Sequence, residues 1–201
     1  MNITIMGKAF LFVLLLTLQG CDPTSTAVED TTEIAEVERP NCVLDVEAGK
    51  IKKCRPELGE GVIGISGQLQ IDGIRPARQW TPAVGIELTS ADQQDVLRLT
   101  FAIQEYAMDA DNKPALAKTP FKGSAELWSN REQVWKQALP ADIQPAVPFP
   151  FLITWSANGE VAVNLGDQMH KVFNLDFPIE DVAITGSGVM VSTSELRVLQ
   201  K

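Results

Sequence analysis

The chain has 201 residues, with 26 acidic and 17 basic side chains and one histidine, for a formal charge of −9 at pH 7. That acidity argues against nucleic acid and against anionic lipid headgroups as partners, because both repel a negative surface. The length is enough for one domain with a proper core, and a single histidine with three cysteines is a poor stock of metal ligands.

The N-terminus carries one basic residue, Lys8, followed by the apolar run AFLFVLLLTL. This fits the h-region of a secretory signal and falls short of the about twenty residues of a helical membrane span. It ends in Leu18-Gln19-Gly20-Cys21, which resembles the lipobox of bacterial lipoproteins: an aliphatic residue, a tolerant position, a small residue and the cysteine that takes lipid. A plain signal peptide followed by a chance cysteine is the alternative. The resemblance implies that residues 1–20 are removed, that Cys21 is diacylated, and that the membrane is a partner through that lipid. Each buried methylene adds about 0.8 kcal/mol, so two or more chains anchor stably where one does not. Asp22 resembles the inner-membrane retention signal of enteric bacteria, which points to the periplasmic side of the inner membrane, with the outer membrane as the alternative. Without Lys8 the balance becomes 16 basic against 26 acidic residues, or −10.

Residues 22–40, DPTSTAVEDTTEIAEVERP, are rich in Thr, Glu and Asp and poor in large apolar residues. Such a segment buries too little surface to offset its ordering entropy, so 21–40 reads as an acidic flexible tether with a reach of roughly 25 Å. Cys42 and Cys54 follow in NCVLDVEAGKIKKC. In an oxidising envelope they are expected to pair, closing a short loop within residues 41–61 and adding up to about 3 kcal/mol.

From Val62 to the C-terminus the hydrophobic period is two. VGIELT places Val84, Ile86 and Leu88 on one face with Glu87 and Thr89 opposite. VLRLTFAIQE buries Leu97, Leu99, Phe101 and Ile103 and presents Arg98, Thr100 and Gln104. REQVWKQAL (131–139) reads as a short helical turn at most. FPFLITW puts Phe149, Phe151, Ile153 and Trp155 on one face, and Asn158-Gly159 turns the chain into EVAVNL, a strong hairpin signal. MHKVFNL, DVAITG and GVMVSTSELRV complete the series. Short strands at regular spacing, with no long amphipathic helix, predict an all-β antiparallel sandwich over residues 62–201.

The segment PFPFLITWSANGEVAVNLGDQMHKVFNLDFPIEDVAITGSGVMV (148–191) resembles the closing strands of galectins and other concanavalin-like jelly rolls. Upstream, VGIELT, LRLTF and AELWSN are similar in order to the strands around the galectin sugar site, and Trp135 falls near the position of the sugar-stacking tryptophan. The resemblance implies a jelly roll. It does not imply the same sugar: where the family has His, Asn and Arg at alternate positions, this chain has Thr100, Ala102 and Gln104. The Glu and Arg that follow the family's tryptophan are also missing, and a polar site without them does not read β-galactosides.

The candidate ligand-binding residues are Arg98, Thr100, Gln104, Glu126, Trp128, Asn130 and Trp135, which alternate along strands expected to be neighbours and so to share one face. Tryptophan stacking with amides and an arginine for hydroxyls suits a glycan. The other reading is a solvated sheet face with packing tryptophans. Trp155 shares parity with Phe151 and Ile153 and reads as core, whereas Trp80 is left open. MDADN (108–112) has acids at alternate positions but lacks the Gly and closing Glu of an EF-hand. His170 has no Ser, Asp or Cys partner in pattern and reads as structural. The E-x-D-x-x-E motif of concanavalin-like glycosidases is absent, so no catalytic residue, metal or cofactor is assigned. The expected function is non-catalytic binding of a glycan or another envelope component, with a protein-interaction module as the alternative.

Overall fold

The computed structural model describes residues 34–75, 80–103, 119–167 and 169–201. Cys21, Asp22, most of the acidic tether, Gln104 and the MDADN stretch lie outside the described residues.

In chain order the strands are β1 (Ala35–Glu38), β2 (Val43–Asp45), β3 (Lys52–Cys54), β4 (Val62–Ile74), β5 (Ala83–Thr89) and β6 (Asp95–Ala102). They continue with β7 (Phe121–Ser129), β8 (Glu132–Ile143), β9 (Phe149–Trp155), β10 (Glu160–Leu165), β11 (Met169–Asn174), β12 (Asp181–Ser187) and β13 (Val189–Gln200). One sheet runs β1-β13-β4-β9-β10-β11, with β2 also on β13; the second runs β3-β12-β5-β6-β7-β8. Every pairing is antiparallel. The all-β sandwich expected from the alternation is what forms.

The inner faces are those the period of two assigns. Val84, Ile86, Leu88, Leu97, Leu99, Phe101 and Ile103 are buried, as are Phe151, Ile153 and Trp155. Phe101 of the second sheet meets Phe149 of the first edge to face, with ring centroids 5.5 Å apart. At the β8/β11 side, Trp135 lies parallel to Phe173 at 5.7 Å, and Lys171 Nζ donates to Gln137 Oε1 at 2.6 Å. Asn158-Gly159 makes the expected β9–β10 turn. Gly159 has φ +84°, and a Cβ there would sit 2.1 Å from the Leu175 carbonyl oxygen, so both conformation and space demand glycine.

Three expectations change. REQVWKQAL is not a helical turn but most of β8, paired along β7. Its Glu, Gln, Lys, Ala and Leu are good helix formers, but the preceding Asn130-Arg131 turn has φ of 50° and 69°, the two positive values of a tight hairpin. Burial of Leu139, Ala141 and Ile143 then outweighs local propensity. Second, the stretch taken as tether contains β1, whose four residues pair with Arg197–Gln200. Third, residues 41–61 belong to the sandwich itself: β2 joins the first sheet through β13, and β3 joins the second through β12. The Cys42–Cys54 disulfide, with Cα atoms 5.9 Å apart, therefore ties one sheet to the other. Cys42 is also held by reciprocal bonds with Thr193, through its N–H to Oγ1 at 2.8 Å and its carbonyl to the Thr193 N–H at 2.9 Å.

Candidate functional site

The outward face of the second sheet carries an in-register row: Ala183 on β12, Glu87 on β5, Arg98 on β6, Glu126 on β7 and Lys136 on β8. Residues directly opposite in neighbouring strands point to the same side, so one row gathers charges from four strands. Arg98 Nε donates to Glu87 Oε1 at 2.8 Å. Lys53 on β3 reaches Glu87 Oε2 across β12, where the row holds only the small Ala183. Lys136 Nζ lies 2.7 Å from Glu126 Oε1, and the Trp128 indole N–H donates to Glu126 Oε2 at 3.0 Å. The Arg98 guanidinium lies over the Trp128 ring, 5.6 Å from its centroid. Signs thus alternate from Lys53 to Lys136.

Glu87 and Glu126 are only 5% and 8% exposed, and both of Glu87's oxygens have cationic partners. Such burial is tolerable only because the partners are present. Burial is the largest single influence on the Glu126 carboxyl and pushes its pKa up. The bonds from Lys136 and Trp128, with the charges of Lys136 and Arg98, together outweigh it and hold the group below the usual glutamate value.

Two hollows flank this row. One, of about 300 Å³, is lined by Lys53, Arg55, Glu87, Thr89, Gln93, Gln94, Val96, Arg98, Trp128 and Arg131. The other, of about 310 Å³, includes Lys53, Glu87, Arg98, Thr100, Glu126, Thr185 and Ser187. Beside it Gly85 keeps the floor low: a Cβ there would come within 2.9 Å of Thr185 Oγ1. The rim of the first hollow is well tied. Asp92 Oδ1 accepts from the Gln94 N–H at 3.1 Å and from Ser90 Oγ at 2.8 Å, and these bonds lower the Asp92 pKa. The Asn130 N–H in turn donates to the Gln94 carbonyl at 3.0 Å, joining the 90–94 loop to the β7–β8 turn. A separate hollow of about 260 Å³, between Pro148–Pro150 and Gly166, has only Asp142 and Asp167 as charges, and Asp142 is already paired with Lys122.

Of the seven candidates, Arg98, Thr100, Glu126 and Trp128 share this face, and Gln104 lies outside the described residues. Asn130 occupies the hairpin turn rather than the strand face. Trp135 is a correction. The register shifts by one residue at Val134, so that Trp135 pairs with Leu127 and shares its inner face, away from Glu126 and Trp128. A bulge of one residue moves every later side chain to the other side, and Trp135 is packing against Phe173, not a wall of the site. Residues missed from sequence are Lys53, Glu87, Lys136, Arg55 and Arg131. Glu87 carried a signal, since its parity matched Thr89 on the outward face; Lys53, on a three-residue strand, carried none.

Trp155 is core. Trp80 donates its indole N–H to Ser187 Oγ. His170 sits on the outward face of the first sheet with Nδ1 2.7 Å from Asn164 Oδ1. Among the described residues, no three His, Cys, Asp or Glu side chains cluster as metal ligands.

No family model and no curated protein matches the chain. Among solved structures it is similar to the carbohydrate binding module CBM66 from Bacillus subtilis, at 6% identity and a TM-score of 0.50, over 84% of this chain and 95% of that one. The likeness is one of fold. Caenorhabditis elegans galectin LEC-6 aligns at 12% identity and a TM-score of 0.46 over 80% of this chain and 94% of its own. A Bacillus licheniformis beta-glucanase aligns at 9% and 0.45, over 74% and 71%. The CBM66 likeness and the two antiparallel sheets show the jelly-roll sandwich expected from the closing strands, and folds of this kind host unrelated functions.

Proposed function

We propose that the chain is a lipid-anchored bacterial envelope protein whose second sheet binds a glycan without catalysis. The anchor rests on the Leu18-Gln19-Gly20-Cys21 resemblance and on the disulfide, which suits an oxidising compartment. The binding reading is carried by one observation: Trp128, with Arg98 laid over it, walls a hollow whose other lining residues, Val96 apart, are amides, a hydroxyl and charged groups. An aromatic wall with a few oriented polar groups is the arrangement that holds a sugar ring and its hydroxyls. Against glycoside hydrolysis stands the state of the acids. A glycosidase needs one carboxyl kept protonated, whereas Glu126 is held ionised and Glu87 is paired at both oxygens.

The test is a glycan array probed with the full chain in detergent micelles. A saturable ligand should lose affinity about tenfold or more in Trp128→Ala. Trp135→Ala should lower thermal stability while leaving the affinity of the folded protein unchanged. Retention of full affinity by folded Trp128→Ala, or silence across the array, would overturn the reading. The protein-interaction alternative draws on β8, a twelve-residue sheet edge with Val134 exposed at its bulge. Array silence together with a stoichiometric crosslinked protein partner would select it.

A further inference from the structure

Resting on the glycan reading, we propose that the hollow walled by Trp128 takes an anionic sugar, one bearing a carboxylate, sulfate or phosphate. The two hollows share Lys53, Glu87 and Arg98 and differ in what each adds. The second adds Glu126, which leaves two cations against two acids. The first adds Arg55 and Arg131, which gives four cations, Lys53, Arg55, Arg98 and Arg131, against Glu87. Asp181 pairs with Arg55 at 2.8 Å and Asp92 stands in the loop that forms the rim, so counting both leaves four positive and three negative charges, a net of +1. This excess stands on a chain whose formal charge is −9. A hollow opposite in sign to its protein concentrates anions against the general field.

The cations are also held ready. Glu87 fixes Lys53 and Arg98, and the Trp128 ring backs the guanidinium plane. Guanidinium groups suit carboxylate and oxyanion geometry better than ammonium does, and three of the four cations are arginines.

Arg131 supplies an independent observation. It stands at φ 69° in a two-residue hairpin turn, the position where Asn-Gly turns place glycine, because a side chain in the left-handed region is strained. Among the described residues it forms no ion pair, and it is one of the residues that line the hollow. Strain kept at a hollow's rim is a mark of function.

The experiment measures binding of the full chain in detergent to three matched pairs: oligogalacturonate and its methyl ester, chondroitin sulfate and its desulfated form, and a phosphorylated glucosamine disaccharide and its dephosphorylated form. The pairs distinguish the source of the negative group. The expected result is that one charged member binds about tenfold tighter than its neutral twin, and that added salt erodes the preference. Arg131→Gly should remove most of that preference while keeping or raising the denaturation midpoint, a combination that a merely structural arginine does not give. Equal binding of charged and neutral twins in all three pairs overturns this inference and leaves the glycan reading intact. A preference that Arg131→Gly leaves untouched also overturns it, because the anion then sits elsewhere. If no sugar of either kind binds, the glycan reading itself fails.

Discussion

The two sheets each present an in-register row to the outside, and the rows differ in kind. On the first sheet Glu38, Arg197, Ser66, Leu152, Asn164 and His170 lie in register across six strands. On the second, the row is Ala183, Glu87, Arg98, Glu126 and Lys136. Both satisfy the same alternation, apolar inward and polar outward, that lets an antiparallel sheet face water. Yet the first row is a set of neighbours with one hydrogen bond, His170 to Asn164, and its arginine turns to the exposed Glu36 on the edge strand. The second is a network in which buried acids depend on the cations beside them. Polarity of a face therefore says little about function; mutual dependence of its charges says more.

Several changes test this contrast, and the largest acts through the disulfide. Lys53 is the residue before Cys54, on a three-residue strand with one partner strand. Replacing Cys42 and Cys54 by serine should cost about 3 kcal/mol for a loop of this length, read from denaturant unfolding. It should also weaken ligand binding by loosening Lys53 from Glu87. Binding that survives with full strength would mean that β3 is held by its sheet pairing alone. Next comes a matched pair of arginines. Arg98→Ala should cost about 2 kcal/mol, because it strips one of two partners from a buried carboxylate. Arg197→Ala removes a pair whose side chains are 40% and 54% exposed and should cost about 0.5 kcal/mol. Equal costs would erase the distinction between the faces.

The same contrast should show in acid. The folded Glu126 carboxyl titrates below its unfolded counterpart, so its contribution is complete above the ordinary glutamate range. It is lost as pH falls from the ordinary glutamate range through the lowered folded value. Glu126→Gln should therefore flatten the acid limb of the stability-pH curve and leave the neutral limb parallel to the parent.

Much of this architecture was legible from alternation alone, since strands such as β6, β9 and β10 bury one parity against a partner sheet. What the pattern did not reveal has physical causes. Strands β1, β2 and β3 are three or four residues long, too short to display a period, and they form because longer neighbours offer them an edge. In β8 the composition favours helix while burial favours strand. Half of the candidate face was readable: Arg98, Thr100, Glu126 and Trp128 follow from parity within single strands. Trp135 does not. A two-residue hairpin without a bulge would have set it opposite Glu126, on the ligand face, and the single extra residue Val134 turns it inward. Lys53, brought from a distant strand, becomes a neighbour only through sheet order, and Lys136 faces Glu126 only because of the bulge at Val134.

The smallest expected effect lies on the first sheet, around Leu152 and Val172, which are 37% and 43% exposed. Leu152 shares its row with Ser66 and Asn164, and Val172 stands opposite Ala162 in the next row. Single exposed apolar residues on a sheet face are ordinary surface. Leu152→Ser should thus change stability by less than about 0.5 kcal/mol and leave glycan binding unchanged, because no member of the charged row touches it. The informative failure is a selective one. If Leu152→Ser kept its stability but lost a partner recovered by the parent chain, the uncharged face would be the working surface, and the network on the other sheet would be a device of stability alone.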